Sequence, residues 1–184
     1  SPFAGREGKF VTSRQIKERL DRELIHNVAL RVVQQENADK FMVSGRGELH
    51  LSVLIETMRR EGFELAVGRP QVITKEIDGV VCEPFETLTV DVEEDHQGGV
   101  MEKLGTRKAE LKNMVPDGNG RVRLEYMAPT RGLIGFRSEF LTLTQGSGLM
   151  FHAFDHYGPR ASGEVGQRPK GAIISMDTGK ALAF

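Results

Sequence analysis

Apolar positions recur along the chain with two alternating periods, and the order of those periods appears twice. Ile16, Leu20 and Leu24 fall at i, i+4 and i+8 with Lys17, Glu18, Arg19, Asp21 and Arg22 between them, which predicts an amphipathic helix. Thr12 and Gln15 ahead of it have capping-box spacing. Val28 to Gln34 reads as a strand and Glu36-Asn37-Ala38-Asp39 as a turn. Lys40 to Ser44 is a second strand with Phe41 and Val43 on one face, so a hairpin is expected. From Glu48 to Arg60 the stripe Leu51, Leu54, Ile55, Met58 predicts a second helix, and Gly62 ends it. Phe63 to Val67 returns as a strand, and Gly68-Arg69-Pro70 interrupts the chain before Val72 to Ile77.

The second half repeats the order. Leu88, Val90 and Val92 alternate with Thr and Asp over Glu86 to Glu93, and a helix is expected from about Gly99 to Lys108. Ala109 to Met114 and Arg121 to Ala128 are strands joined by the turn Pro116-Asp117-Gly118-Asn119-Gly120. Leu133, Phe136, Phe140 and Leu143 stripe the next helix, Gly146 stops it, and Leu149 to Phe154 is the returning strand. Strand, helix, strand, strand, helix, strand is the split βαβ pattern, an α+β fold whose antiparallel sheet carries both helices on one face. Two tandem ferredoxin-like units are therefore expected, over residues 1–80 and 81–157. The first lacks its leading strand, which reads as a piece that begins just after it. Residues 158–184, rich in Gly, Pro and Arg up to Gly171 and then apolar at Ala181 to Phe184, read as the start of a third, β-containing domain.

Composition narrows the class. With 39% apolar residues in 184, both halves can build ordinary cores, and no apolar run approaches the roughly 18–20 residues of a bilayer span. A cytoplasmic location is expected. Cys82 is alone, so it forms no internal disulfide and no thiolate metal site. A net charge of −1 gives no global field for a polyanion, so nucleic-acid contact has to come from local clusters.

Catalytic signals are missing. A phosphate loop needs G-x-x-x-x-G-K-[S/T], and Gly166-Gln167-Arg168-Pro169-Lys170-Gly171 continues as Ala172-Ile173, so it reads as linker. Gly45-Arg46-Gly47 is too short for a dinucleotide fingerprint; its glycines predict a tight strand-to-helix turn. His96, His152 and His156 match no metal clip in spacing, and no metal is expected on them. Glu93-Glu94-Asp95 precedes a loop, His96-Gln97-Gly98-Gly99. The acids suit the positive end of the following helix, and the loop amides suit a phosphate equally well. Arg107 with Lys108, Arg121 with Arg123, and Arg131 with Arg137 are spaced as phosphate forks or as solvated faces. A candidate RNA-docking set follows: His96, Gln97, Gly98, Gly99, Arg107, Lys108, Arg131 and Arg137. Catalytic, cofactor and metal residues are not assigned. A tandem regulatory module binding a small ligand is the alternative reading.

The run Val43-Ser44-Gly45-Arg46-Gly47-Glu48-Leu49-His50-Leu51 resembles the element that opens the second helix of the third domain in the elongation factor G family. Met58 to Leu65, Asp91 to Met101, Asp117 to Leu124 and Thr130 to Phe140 make the chain similar to one branch, the BipA (TypA) translational GTPases. Residues 1–80 then correspond to the third domain and 81–157 to the fifth. Gly163 to Arg168 and Ile173 to Ser175 correspond to the start of that branch's C-terminal domain. The resemblance implies a parent GTPase that acts in ribosome assembly, translation and stress adaptation, with GTP and Mg held in a domain outside this chain. It implies ribosomal RNA, ribosomal proteins and transfer RNA as partners, and docking rather than catalysis for this part.

Overall fold

A computed structural model describes residues 5–6, 8–37 and 39–165. The expectations for residues 166–184 lie outside the described residues. Contacts divide the chain into two compact units, one ending at Pro70 and the next beginning at Gln71. The sequence reading sets the junction later, at residues 80–81. It falls earlier because Lys75–Ile77 pairs with a strand of the second unit.

In the first unit, α1 (Ser13–His26) starts at the expected capping box. Thr12 Oγ1 accepts from the Gln15 N–H at 3.3 Å and Gln15 Oε1 accepts from the Thr12 N–H at 3.1 Å. Two short strands, β1 (Arg31–Gln34) and β2 (Phe41–Ser44), form the antiparallel hairpin with Val32 opposite Val43. The first begins later than Val28 because the Leu30 N–H turns back to the Asn27 carbonyl at 3.1 Å. Helix α2 (Glu48–Arg60) closes on Gly62, whose φ of 95° suits glycine alone at little cost. Leu20, Leu30, Leu54, Met58 and Phe63 make the core. Arg19 fixes the angle between the helices: its guanidinium forks onto both oxygens of Glu61, at 2.6 and 2.9 Å, and also reaches Glu23. Those bonds hold the Glu61 and Glu23 carboxyls below the usual range.

Phe63 to Val67 is not a strand among the described residues. Only Phe63 bridges, in parallel, to Phe10, and the Glu64 N–H donates to the Phe10 carbonyl at 3.0 Å. The last strand of a split βαβ unit needs a partner along its length, and among the described residues this segment meets only the single bridge at Phe10. Glu64 still ties the segment down, accepting from the Gly5 and Gly8 N–H groups at 3.0 and 3.1 Å.

The second unit is a complete split βαβ sheet. Strand β3 (Lys75–Ile77) turns through Asp78-Gly79 into β4 (Val80–Glu93), followed by α3 (Glu94–Thr106), β5 (Glu110–Pro116), β6 (Arg121–Pro129), α4 (Thr130–Leu133), α5 (Phe136–Leu143) and β7 (Leu149–Pro159). The lateral order is β7, β4, β6, β5, antiparallel throughout. Cys82 pairs with both Lys75 and Pro159, so β3 lies on the side of β4 that β6 occupies farther along. Leu88, Val90 and Val92 on β4, with Val122, Leu124, Tyr126 and Ala128 on β6, turn their alternate faces under Val100, Leu104, Phe136 and Phe140 of the helices. All of these are at most 3% exposed, which identifies this layer as the source of the unit's stability.

Two helix expectations are corrected. Helix α3 starts at Glu94, not near Gly99, so the His96–Gly99 stretch is its first turns and not a loop; Glu94 and Asp95 sit where the helix dipole favours anions. The stripe from Leu133 to Leu143 breaks at Gly135, φ 70°, into α4 and α5. Replacing Leu88 with Ala is expected to cost about 2–5 kcal/mol, and replacing the half-exposed Val115 with Ala less than about 1 kcal/mol. Urea unfolding measures both.

Candidate functional site

The glycine-flanked arginine of the first unit is a histidine-locked turn. The Arg46 N–H donates to His50 Nδ1 at 3.2 Å, so the neutral ring must carry its proton on Nε2. Asn27 lies across Nε2 with Oδ1 at 3.2 Å and Nδ2 at 2.9 Å; since Nε2 is the donor, Oδ1 is its partner. Asn27 is also the C-cap of α1, and its Nδ2 donates to Glu23. A Cβ on Gly45 would stand 2.7 Å from His50 Nδ1 and 3.0 Å from Leu51 Cδ2. Gly45 is therefore required by close approach. Gly47, at φ 171°, is simply extended. The turn leaves the Arg46 side chain exposed, while the backbone under it is fixed to two helices.

The candidate docking residues of the second unit do not form one patch. His96, Gln97, Gly98 and Gly99 open α3, whereas Arg107, Lys108, Arg131 and Arg137 gather at its far end, roughly 12–18 Å away along the axis at 1.5 Å per residue. Within the first group, His96 Nε2 is 3.9 Å from Glu93, and the Gln97 amide donates to the Met114 sulfur at 3.1 Å. Gly98 opens onto free space, and a Cβ on Gly99 would meet only Leu143, at 3.9 Å.

Two arginines of the second group are structural. Arg107, 9% exposed, donates to the Gly132 carbonyl at 2.7 Å, the Ile134 carbonyl at 3.2 Å and Glu139 at 2.8 Å. Its own carbonyl lies so close to α4 that a Cβ on Gly132 would be 2.4 Å from it. Arg131 donates through Nε to Glu83 Oε2 at 2.6 Å, and through its other nitrogens to the carbonyls of Gly163 (3.0 Å) and Ala161 (2.7 Å). Glu83 is fully buried, and its second oxygen accepts from the Ala161 N–H at 2.9 Å. The clamp thus joins β4, α4 and the segment after β7. A lone glutamate inside Val80-Val81-Cys82-Glu83-Pro84-Phe85 was the signal for it, since a carboxylate in an apolar strand needs a cation. Lys108 and Arg137 stay exposed and make no ion pair among the described residues.

The three histidines considered for a metal have separate partners: His152 bonds Glu86, His156 bonds Asp155 and stacks on Phe85, and His96 faces Glu93. Among the described residues no three potential metal ligands stand together. No helix among them is long and apolar enough to cross a membrane.

Residues 80–168 match the family described as Elongation factor G C-terminus. Across all 184 residues the chain is 67% identical to the Large ribosomal subunit assembly factor BipA of Escherichia coli (strain K12). Its identity to the proteins of the same name is 65% in Haemophilus influenzae and 57% in Buchnera aphidicola. The chain belongs to the BipA/TypA family. It spans 30% of the length of these relatives. A crystal structure of a protein from Thermus thermophilus has the same fold, with a TM-score of 0.54 at 15% identity, over 84% of this chain and 40% of that one.

Arg131→Ala leaves Glu83 buried and unpaired, and is expected to cost about 3–5 kcal/mol. The double variant Glu83→Gln, Arg131→Met recovers much of that in denaturant melts. A second expectation concerns acid. Glu86 is held below the ordinary carboxylate range chiefly by its bond to His152. Its contribution is therefore full above the unfolded value, near 4.3, and is lost as pH falls through the depressed folded value. Glu86→Gln should flatten the stability profile below about pH 4, read from thermal midpoints across a pH series.

Proposed function

We propose that this chain is the ribosome-docking part of a BipA/TypA-type translational GTPase that acts in assembly of the large ribosomal subunit. The observation that carries the reading is identity of 57–67% over the whole chain to proteins named for that activity. On this reading the first unit is the third-domain equivalent and the second the fifth-domain equivalent. The chain contributes surface and rigid geometry, and GTP hydrolysis belongs to another part of the protein. The sequence has no phosphate loop with its Lys and Ser/Thr, in keeping with that division. Ribosomal RNA and ribosomal proteins are the partners of both units, transfer RNA is reached by the region that follows them, and the parent protein acts also in translation and stress adaptation.

Of the docking set, the residues whose side chains or backbone stand open to a partner are Gly98 and Gly99 at the start of α3 and Lys108 and Arg137 at its end. Arg107 and Arg131 serve by holding α4 and the segment after β7 in place.

Co-sedimentation of the chain with purified large ribosomal subunits over a salt series tests the proposal. Binding is expected to weaken with salt, with log affinity linear in log salt, as counterions are released from RNA. No association at low salt, or association indifferent to salt, would overturn it.

A further inference from the structure

The chain stays on the second unit after β7 has ended. Pro159 is the last residue in register with β4, opposite Cys82, yet the residues after it are bonded to the unit in turn. The Arg160 N–H donates to the Val81 carbonyl at 3.1 Å, and the Ala161 N–H donates to Glu83 Oε1 at 2.9 Å. The Ala161 and Gly163 carbonyls both accept from Arg131, at 2.7 and 3.0 Å. At the far end Val165 rests on α4, where a Cβ on Gly132 would meet its Cγ1 at 3.3 Å. Residues 160–165 are therefore a strap, at the place where the sequence reading puts the start of a third domain.

The bonds that close the strap read its backbone. All four use its N–H and carbonyl groups, while Ser162, Gly163 and Glu164 are exposed. Arg131 spans two carbonyls and a carboxylate at once, which a guanidinium fork can do and a lysine ammonium cannot match in geometry. Gly163 fits the strap at φ 84°, a left-handed backbone that strains any residue with a Cβ.

The strap can leave without the core. Among the described residues the buried apolar cluster of this unit ends at Phe140, and the last partly buried side chain packed on it is Met150. Opening gives up a few hydrogen bonds and the half-buried Ala161 and Val165, and no core side chain. A segment held in this way opens at a smaller cost than global unfolding. With the strap closed, the chain that follows departs from beside Gly132; with it open, the chain departs from Pro159. Residues 160–165 in extended form reach about 20 Å.

We propose that residues 160–165 open and close as one unit, independently of the core, and that the Glu83–Arg131 pair is the latch by which the second unit holds or releases the chain that follows. The inference goes beyond the ribosome-docking reading and does not depend on it.

Hydrogen exchange in the folded 184-residue chain tests it. The Arg160 and Ala161 amides report the strap, and the Val90 amide, on a strand flanked by β6 and β7, reports global unfolding. In the wild type the strap amides should be protected and yet exchange faster than Val90. Leu88→Ala should speed Val90 exchange by about thirtyfold or more and leave the strap amides as they are. Gly163→Ala, which strains the closed strap, should speed the strap amides by roughly five- to thirtyfold. Arg131→Lys keeps a cation for Glu83 but loses the fork, and should speed them by about tenfold or more. Ser162→Ala should change neither.

Strap amides that exchange as slowly as Val90, or that speed up with it in Leu88→Ala, would overturn independent opening. Strap amides without protection in the wild type, or unchanged in Arg131→Lys, would overturn the latch. An effect of Ser162→Ala as large as that of Gly163→Ala would overturn the reading of backbone alone.

Discussion

The second unit hangs on a buried carboxylate. Glu83 sits in a strand that is otherwise apolar, fully removed from water, and such a charge is tolerable only when its partners are complete. Arg131 and the Ala161 N–H complete them. Meeting that requirement decides other things. Arg131 has to come from the short helix directly after β6. The segment after β7 has to run back past β4, where the Arg160 N–H donates to the Val81 carbonyl at 3.1 Å. Gly132 has to lack a side chain so that α4 lies against the Arg107 carbonyl. Within the string Thr130-Arg131-Gly132-Leu133-Ile134-Gly135, Arg131 is thus accounted for by the ion pair, Gly132 by the close approach and Gly135 by its left-handed backbone.

The same requirement explains which parts were legible in advance. Periodicity alone located every helix except the start of α3 and the break between α4 and α5, because burial of Leu20, Leu54, Val100 and Phe140 is what makes those segments helical. The β4–β6 ladder was readable from alternation, since one face is covered and the other is not. What escaped was set by distant partners. The Glu83–Arg131 pair joins residues far apart in sequence, and nothing local distinguishes Arg131 from Arg137, although one is clamped and the other free.

The glycine-turn motif shows how a local signal and a long-range one combine. Its strand-to-helix break was plain from Gly45 and Gly47, but the two glycines do different things. One makes room for an imidazole; the other has no need to be glycine on conformational grounds. The reason for His50 appears only with Asn27, which comes from the other helix and meets the ring nitrogen opposite the one that accepts from the Arg46 N–H. In a helix pair already braced by the Arg19 fork onto Glu61, that second tie turns a surface loop into part of the frame.

Strand β4 has a mechanical consequence. The chain comes in along β3 and goes out after β7, and Lys75 and Pro159 flank the same residue, Cys82. The second unit therefore behaves as a bead threaded through neighbouring holes, whose presence barely alters the distance between the sequences on either side of it. Tension applied to those flanks would not slide the long β4–β6 ladder in shear. It would concentrate at the mouth of the bead, beside Glu83 and Arg131, so the buried ion pair is also the knot that a pull on the chain has to undo first.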